Sequence, residues 1–318
     1  MKKKILICGA TGFIGQNVLN HFTKIKNYKV IALINKTKPD VKIKSVKYIK
    51  GNLKNFRDCL RVTKNIDIII QCAATTSGSK DIINAPYLHV TDNAVMNSNL
   101  LRSVYQNKIS HFLFMSCTVM YKNSSRYLSE NDVDEKKIFP NYYGVAQTKL
   151  YIEKICKFYS NISDSKFTII RHSNIYGYND KFDTNKGHFI GSAIKKIFDL
   201  KKKNITVFGS GKEKRDFLFI DDLINFLEKS IKHQKNKYDI FNCTYGKSYS
   251  IKDVLKKLIK LSKVNKTIKF DKKAKNLNVN ILVKSNKARK DLNWKPKVKL
   301  DDGLKLTLNW FKNNEKFL

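Results

Sequence analysis

Apolar residues in the first half of this chain fall in short continuous runs, not in strict alternation. Residues 5–8, 29–34, 66–70, 111–116 and 166–171 each read as a strand that is apolar on both sides. Between them lie stretches with helical spacing, over 13–22 and about 93–107. Strands buried on both faces and separated by helices predict a parallel sheet covered above and below, an α/β doubly wound fold. In such a fold ligands sit at the carboxyl ends of the strands, so the loops there are the place to look for chemistry.

Composition narrows the classes of function. The 318 residues are 42% apolar, enough for a sizeable core. The formal charge of +37 raises the question of a polyanionic partner. Only seven of the 63 basic residues are arginine, however, and the lysines are scattered along the chain. Base reading and bidentate phosphate clamping favour arginine, so the charge reads as surface solvation, with no nucleic-acid partner expected, and as a field that attracts anionic small molecules. The six cysteines show no C-x-x-C spacing and sit mostly in apolar runs, which argues against a metal site and against a disulfide framework. The basic start leads into an apolar run of only four residues before Gly9, too short for a signal peptide, and no run approaches a membrane span. A soluble cytoplasmic protein with no membrane partner is the expectation.

The first strand runs into Gly9-Ala10-Thr11-Gly12-Phe13-Ile14-Gly15 at the opening of the first helix. Glycines there allow a tight turn and let a pyrophosphate approach the amides at the positive helix end. Gly9, Thr11, Gly12, Phe13, Ile14 and Gly15 are therefore candidate dinucleotide-binding residues. Where strand two ends, at Asn35 and Lys36, there is no acid to hold the adenosine ribose and repel a 2′-phosphate, and lysines are near. This pattern leans toward NADP over NAD.

Together these residues resemble the extended short-chain dehydrogenase/reductase family, the NAD(P)-dependent nucleotide-sugar epimerases, dehydratases and reductases, over essentially the whole chain. The likeness includes Gly51-Asn52-Leu53 against the adenine, Ala73-Ala74 closing the fourth strand, and Asn93 on the helix of a dimer face. It continues with Arg171-His172-Ser173-Asn174-Ile175-Tyr176-Gly177, with Arg215-Asp216-Phe217 running on to Leu223, and with Lys287 to Pro296. It implies a Rossmann domain over 1–177 with a return segment near 216–244, and a smaller C-terminal α/β lobe within 178–318 that binds the nucleotide sugar. A homodimer is implied as well. Asn52, Leu53, Ala73 and Ala74 would line the cofactor, Asn174 the sugar and nicotinamide region, and Arg215 the substrate diphosphate, with a structural salt bridge as the other role open to Arg215. Residues 177–188 are similar to the loop in which GDP-fucose synthase-like reductase/epimerases carry a general-acid histidine, here His188; a solvent-facing loop histidine is the alternative.

Two departures stand out. The family pairs tyrosine and lysine as Tyr-x-x-x-Lys on one helix, and this chain has no such spacing. Lys149 matches the lysine, while Val145 stands where the tyrosine belongs. Tyr143 is about 240° round a regular helix from Lys149, and Tyr142 returns to the same face two turns away, on the order of 10 Å. Tyr143, looped over the site by a two-residue insertion, is the preferred proton shuttle; otherwise both tyrosines only pack or face solvent. The second departure is Cys117, which occupies the place of the catalytic Ser or Thr, so Thr118 or Ser116 moves in or the contact to the sugar oxygen weakens. Cys117 is either a reactive thiolate or a small buried residue. The epimerisation cysteine of the GDP-fucose synthases falls at Val119, against a double epimerisation.

The sequence thus predicts an NADP- or NAD-dependent enzyme acting at a sugar C4, a 4-keto reductase or 4-epimerase, with a GDP-linked deoxy or heptose sugar among the candidate substrates. Tyr143, Lys149, Cys117, Thr118 and His188 would carry the chemistry. The contrasting expectation is a lapsed dinucleotide-binding regulatory or scaffold protein.

Overall fold

The structure is a computed structural model that describes residues 2–39, 41–76, 85–271 and 279–314. The outermost ends of the two expected units, and stretch 272–278 of the second, lie outside the described residues. The strands are β1 (Lys3–Cys8), β2 (Tyr28–Ile34), β3 (Lys47–Lys50), β4 (Ile68–Gln71), β5 (His111–Cys117), β6 (Lys166–His172) and, far along the chain, β10 (Tyr238–Cys243). They form one seven-stranded sheet in the order β10-β6-β5-β4-β1-β2-β3, with every pairing parallel. This is the doubly wound arrangement expected of apolar strands separated by helices.

Side-chain alternation along these strands sorts the core into two layers. Ile5 and Ile7 join Val18, Leu19 and Phe22 of α1 (Phe13–Phe22) and Leu223, Phe226 and Leu227 of α6 (Ile220–His233). Leu6 and Cys8 point the other way. They meet Cys59 and Val62 of α2 (Phe56–Thr63), Leu100, Leu101 and Val104 of α3 (Thr91–Gln106), and Ile152 and Cys156 of α4 (Tyr143–Ile162). Burial on both faces leaves only the strand ends free to meet a ligand.

The second unit comprises β7 (Asn174–Tyr176), β9 (Lys214–Phe219) and β11 (Ser248–Ser250) in a three-stranded sheet, and β8 (Asn204–Phe208) paired with β12 (Thr267–Asp271). Around them pack α5 (Phe189–Phe198), α7 (Ile251–Ser262), α8 (Asn286–Leu292) and α9 (Leu300–Asn314). Its apolar residues Tyr176, Phe217, Leu255, Leu304 and Phe311 belong to the same cluster as Ile5 and Ile7, so one core runs through both units. Asp222 explains two of the sequence motifs at once. Its backbone carbonyl accepts from Trp294 Nε1 at 3.0 Å, and its carboxylate accepts from the amides of Lys297 (2.8 Å) and Val298 (3.0 Å), which ties the C-terminal segment to α6.

The helix that carries the candidate lysine is locked to the sheet by charge. Glu153 on α4 and Arg171 on β6 form an ion pair of 2.7 Å, with both side chains nearly inaccessible. Ser116 donates to Glu153 at 2.6 Å, and Arg171 reaches the Tyr121 hydroxyl at 3.0 Å and the Glu130 carbonyl at 2.8 Å. Tyr121 in turn donates to Asn242 on β10 at 2.6 Å. Removing one member of a buried pair strands the other. Arg171→Leu should therefore lower stability by about 3–5 kcal/mol, while replacing both residues with leucine recovers a large part of it. Urea unfolding measures this, and an unchanged midpoint for the single variant would contradict it.

Candidate active site

The glycine loop is built by steric exclusion. Gly9 has φ +74°, and a Cβ there would lie 2.7 Å from the backbone of Ala73, so the turn after β1 presses against the end of β4. A Cβ on Gly15 would lie 2.1 Å from the Gly9 carbonyl oxygen, so the first turn of α1 lies directly on the loop. The Gly12 amide closes the turn onto Gly9 O at 3.0 Å, leaving the amides of Phe13, Ile14 and Gly15 without partners in the helix. No side chain caps this end and no acid stands in the first turn. Amides without helix partners, a positive helix end and no competing carboxylate fit a pyrophosphate. Thr11 is half-buried in the same turn, while Asn35 and Lys36 are exposed where β2 ends. On the adenine side, the Asn52 amide donates to Asp58 at 2.8 Å, and Leu53 is buried beneath it. Beyond β4, Ala73 N donates to Gln71 Oε1, and Asn93 holds Thr75 through both its amide and its carbonyl at 2.9 Å. The loop through Ala73 and Ala74 is thus fixed at the strand edge.

At the end of β5, Lys149 donates from Nζ to Met115 O at 2.7 Å and lies over the Phe114 ring. Burial pulls its pKa down, against the pull of Cys117 and Glu153. Cys117 ends β5 beside it. Burial raises the Cys117 thiol above its ordinary value despite Lys149, so the protonated thiol predominates at neutral pH. Ser116 is committed to Glu153 on the covered side of the sheet, and Thr118 opens the turn that closes on Tyr121 N at 3.1 Å. Of the two hydroxyls that could replace the missing one, Thr118 is the one left at the strand end.

Residues 140–142 form a short 3-10 turn that runs directly into α4, so no loop carries a tyrosine over the site. Tyr143, the tyrosine preferred from the sequence, is 56% exposed. Tyr142 is the buried one, at 8%, packed with Phe139, Val145 and Val279. Burial raises the pKa of its phenol, Arg215 lowers it and Cys117 raises it. Tyr142, Lys149 and Glu153 fall on one stripe of the helix, seven and four residues apart.

From the second unit, Arg215 enters on β9 opposite Tyr249, and its guanidinium has no hydrogen bond or ion pair among the described residues. Its neighbour Asp216 accepts from the amides of Tyr245, Gly246 and Lys247, and burial raises its pKa to about 6. That clasp fixes the backbone on which Arg215 stands. Asn174 at the start of β7 donates to Asp216 O at 2.9 Å. His188 is the N-cap of α5 and is exposed; partial desolvation of its ring, Lys181 and Arg215 lower its pKa. His172, quoted within a motif but given no role by the sequence, also belongs here. It ends β6 in register with Cys117, and both Lys149 and His188 act on its ring. A titratable residue at the carboxyl end of an apolar strand was the signal available in the sequence. Asp180, on the loop leading to His188, is 3% exposed; one oxygen accepts from Lys181 N, the other has no partner, and burial lifts its pKa to about 7.

Against known proteins, the model of the NAD dependent epimerase/dehydratase family matches residues 5–244. The chain is 30% identical to GDP-L-colitose synthase of Yersinia pseudotuberculosis over 98% of this chain and 99% of the relative. Among solved structures, UDP-glucuronic acid 4-epimerase from Bacillus cereus, in complex with UDP-glucuronic acid and NAD, superposes with a TM-score of 0.84 at 26% identity, covering 98% of this chain and 99% of that one. UDP-glucose 4-epimerase of Thermotoga maritima, with UDP-glucose, gives a TM-score of 0.87 at 20% identity over 98% and 99%, which bears on the fold.

Asp180 gives a pH signature. Its folded pKa lies above the ordinary carboxylate value, so between about pH 4 and pH 7 the unfolded chain is ionised while the folded one keeps its proton. Its contribution to stability is full below that window and is lost as pH rises through it. Relative to Asp180→Asn, the natural protein should lose stability as pH rises from about 4 to about 7, as read from urea midpoints; parallel pH profiles would count against the assignment.

Proposed function

The chain belongs to the NAD dependent epimerase/dehydratase family, and we propose that it acts on a nucleotide-diphosphate sugar at C4, as a 4-keto reductase or 4-epimerase. The observation that carries this reading is the glycine cradle at the end of β1 together with Lys149 Nζ held on Met115 O, where β5 runs out into Cys117. When bound, NAD or NADP would supply hydride exchange with the sugar carbon. The exposed lysine and missing acid after β2 favour the phosphorylated form.

Within that reading, the amides of residues 13–15 receive the cofactor pyrophosphate, and Lys149 directs its remaining ammonium protons toward the ribose. Tyr142 exchanges the proton at the sugar oxygen. Burial holds its phenol protonated at rest, and the Arg215 charge opposes that, favouring the phenolate during transfer. Thr118 holds the same oxygen, and the Cys117 thiol packs beside it as a weak donor. Arg215, planar and otherwise unpaired, takes the substrate diphosphate. His188 serves from the lobe side as an auxiliary acid, and Asn174 lines the sugar region. A GDP-linked substrate is favoured by the likeness to GDP-L-colitose synthase along both chains. The family membership and named enzyme relatives weigh against a lapsed scaffold.

We further propose a homodimer through the outer faces of α3 and α4. Val95, Tyr105, Tyr151, Phe158 and Ile162 are each more than two-fifths exposed on this helix pair, an apolar display that a monomer rarely leaves open. Phe158→Glu should shift the protein from dimer to monomer by light scattering; a monomeric natural protein would refute the pairing.

Activity distinguishes the two tyrosines. With NADPH or NADH and a panel of GDP-, dTDP-, UDP- and CDP-linked 4-keto sugars, absorbance at the nicotinamide band should fall with at least one of them. Tyr142→Phe should lower kcat by about 10²–10⁴-fold, while Tyr143→Phe stays within about threefold. Silence across the panel would sink the enzyme reading, and the reverse order of the two variants would return the role to Tyr143.

A further inference from the structure

His172 stands at the last position of β6, in register with Cys117 at the end of β5. Its Nδ1 lies 2.7 Å from the carbonyl oxygen of Ser173. A carbonyl can only accept, so Nδ1 carries the proton and Nε2 is left with a lone pair. Nε2 has no partner among the described residues. Burial lowers the imidazole pKa to about 4, the Ser173 carbonyl opposes this, and Lys149 and His188 lower it further. The ring is therefore neutral at physiological pH and keeps this one tautomer.

A dinucleotide with its pyrophosphate at the end of β1 extends across the strand ends, away from β2 and toward β5 and β6. Neighbouring strands lie about 4.8 Å apart, so the end of β6, three places from β1, is roughly 14 Å from the cradle. At that end of the crevice the protein offers the Lys149 ammonium, the Cys117 thiol and the Thr118 hydroxyl, all of which can donate. The nicotinamide ring bears a carboxamide whose NH₂ needs an acceptor. We propose that His172 Nε2 is that acceptor, and that it fixes the rotation of the nicotinamide ring. This rests on the dinucleotide reading given above and assigns its far end. Ser173 sets the tautomer, which makes the contact independent of pH across the neutral range.

The test is a binding measurement that needs no turnover and no knowledge of the sugar. Calorimetry on the full chain would compare NAD or NADP, whichever binds, with its 3-acetylpyridine counterpart, in which a methyl ketone replaces the carboxamide and the NH₂ donor is gone. The natural protein should bind the carboxamide form tighter, on the order of tenfold, as for one buried hydrogen bond. His172→Leu should bring the two forms within about twofold by weakening the carboxamide form alone. His172→Gln, which offers an acceptor at nearly the same reach, should restore most of the preference. Equal discrimination in the natural protein and His172→Leu would overturn the proposal. Absence of binding by either dinucleotide would overturn the cofactor reading and this inference with it.

Discussion

The candidate site depends on a buried ion pair that touches no ligand. Glu153 and Arg171 are almost wholly removed from water, where each alone would be costly to keep charged. Together, and with Ser116 and Tyr121 filling their remaining hydrogen bonds, they hold α4 against β5 and β6 in one register. A slip of α4 by one residue would turn its inner stripe by about 100° and break the pair. Lys149 lies one turn before Glu153 on that stripe, so the charge pair determines where the lysine meets the Met115 carbonyl. Seven residues earlier the same stripe brings Tyr142 inward and leaves Tyr143 in solvent. The pair acts at a distance of several turns, through the rigidity of the helix.

The opposite end of the crevice is set by contact alone. Gly9 against Ala73, and Gly15 against the Gly9 carbonyl, leave no room for a methyl group. The same tight turn leaves the first amides of α1 without partners in the helix. One half of the site is therefore organised by charge buried behind the sheet, and the other by the absence of side chains in front of it. Both meet at the carboxyl ends of β1, β4, β5 and β6.

How much of this could be read from the sequence follows the range of the forces involved. The central strands and α1 were legible because burial on both faces writes a continuous apolar run, and α1 begins and ends where its pattern does. Strand β3, with its half-buried Lys47–Lys50, carries no such run and was not seen. The glycine loop was legible because backbone constraints are local. The tyrosine was not: the choice between Tyr142 and Tyr143 turns on whether residues 140–142 loop or continue the helix, and on where Glu153 docks. Both depend on Arg171, 18 residues further on and on another element. His172 was hidden for a similar reason, since its tautomer is set by a carbonyl and its neighbours come from β5, α4 and the lobe.

The distribution of arginine joins these levels. Lysine supplies most of the positive charge and mostly stays in water, where a compact, well-hydrated ammonium contributes little to any single contact. The few arginines include those at positions that need a planar, multidentate cation. Arg171 spans Glu153, Tyr121 and the Glu130 carbonyl in the core, and the Arg102 guanidinium carbon lies over the Phe56 ring, 4.4 Å from its centroid. Arg215 is of the same kind, held on a strand whose next residue clasps three amides, yet its own fork has no partner among the described residues. In the proposed reading, a guanidinium so positioned keeps its hydrogen-bonding capacity for the substrate. Its planar geometry matches a diphosphate, while the surrounding lysine field draws the same anion toward the crevice without specifying how it binds.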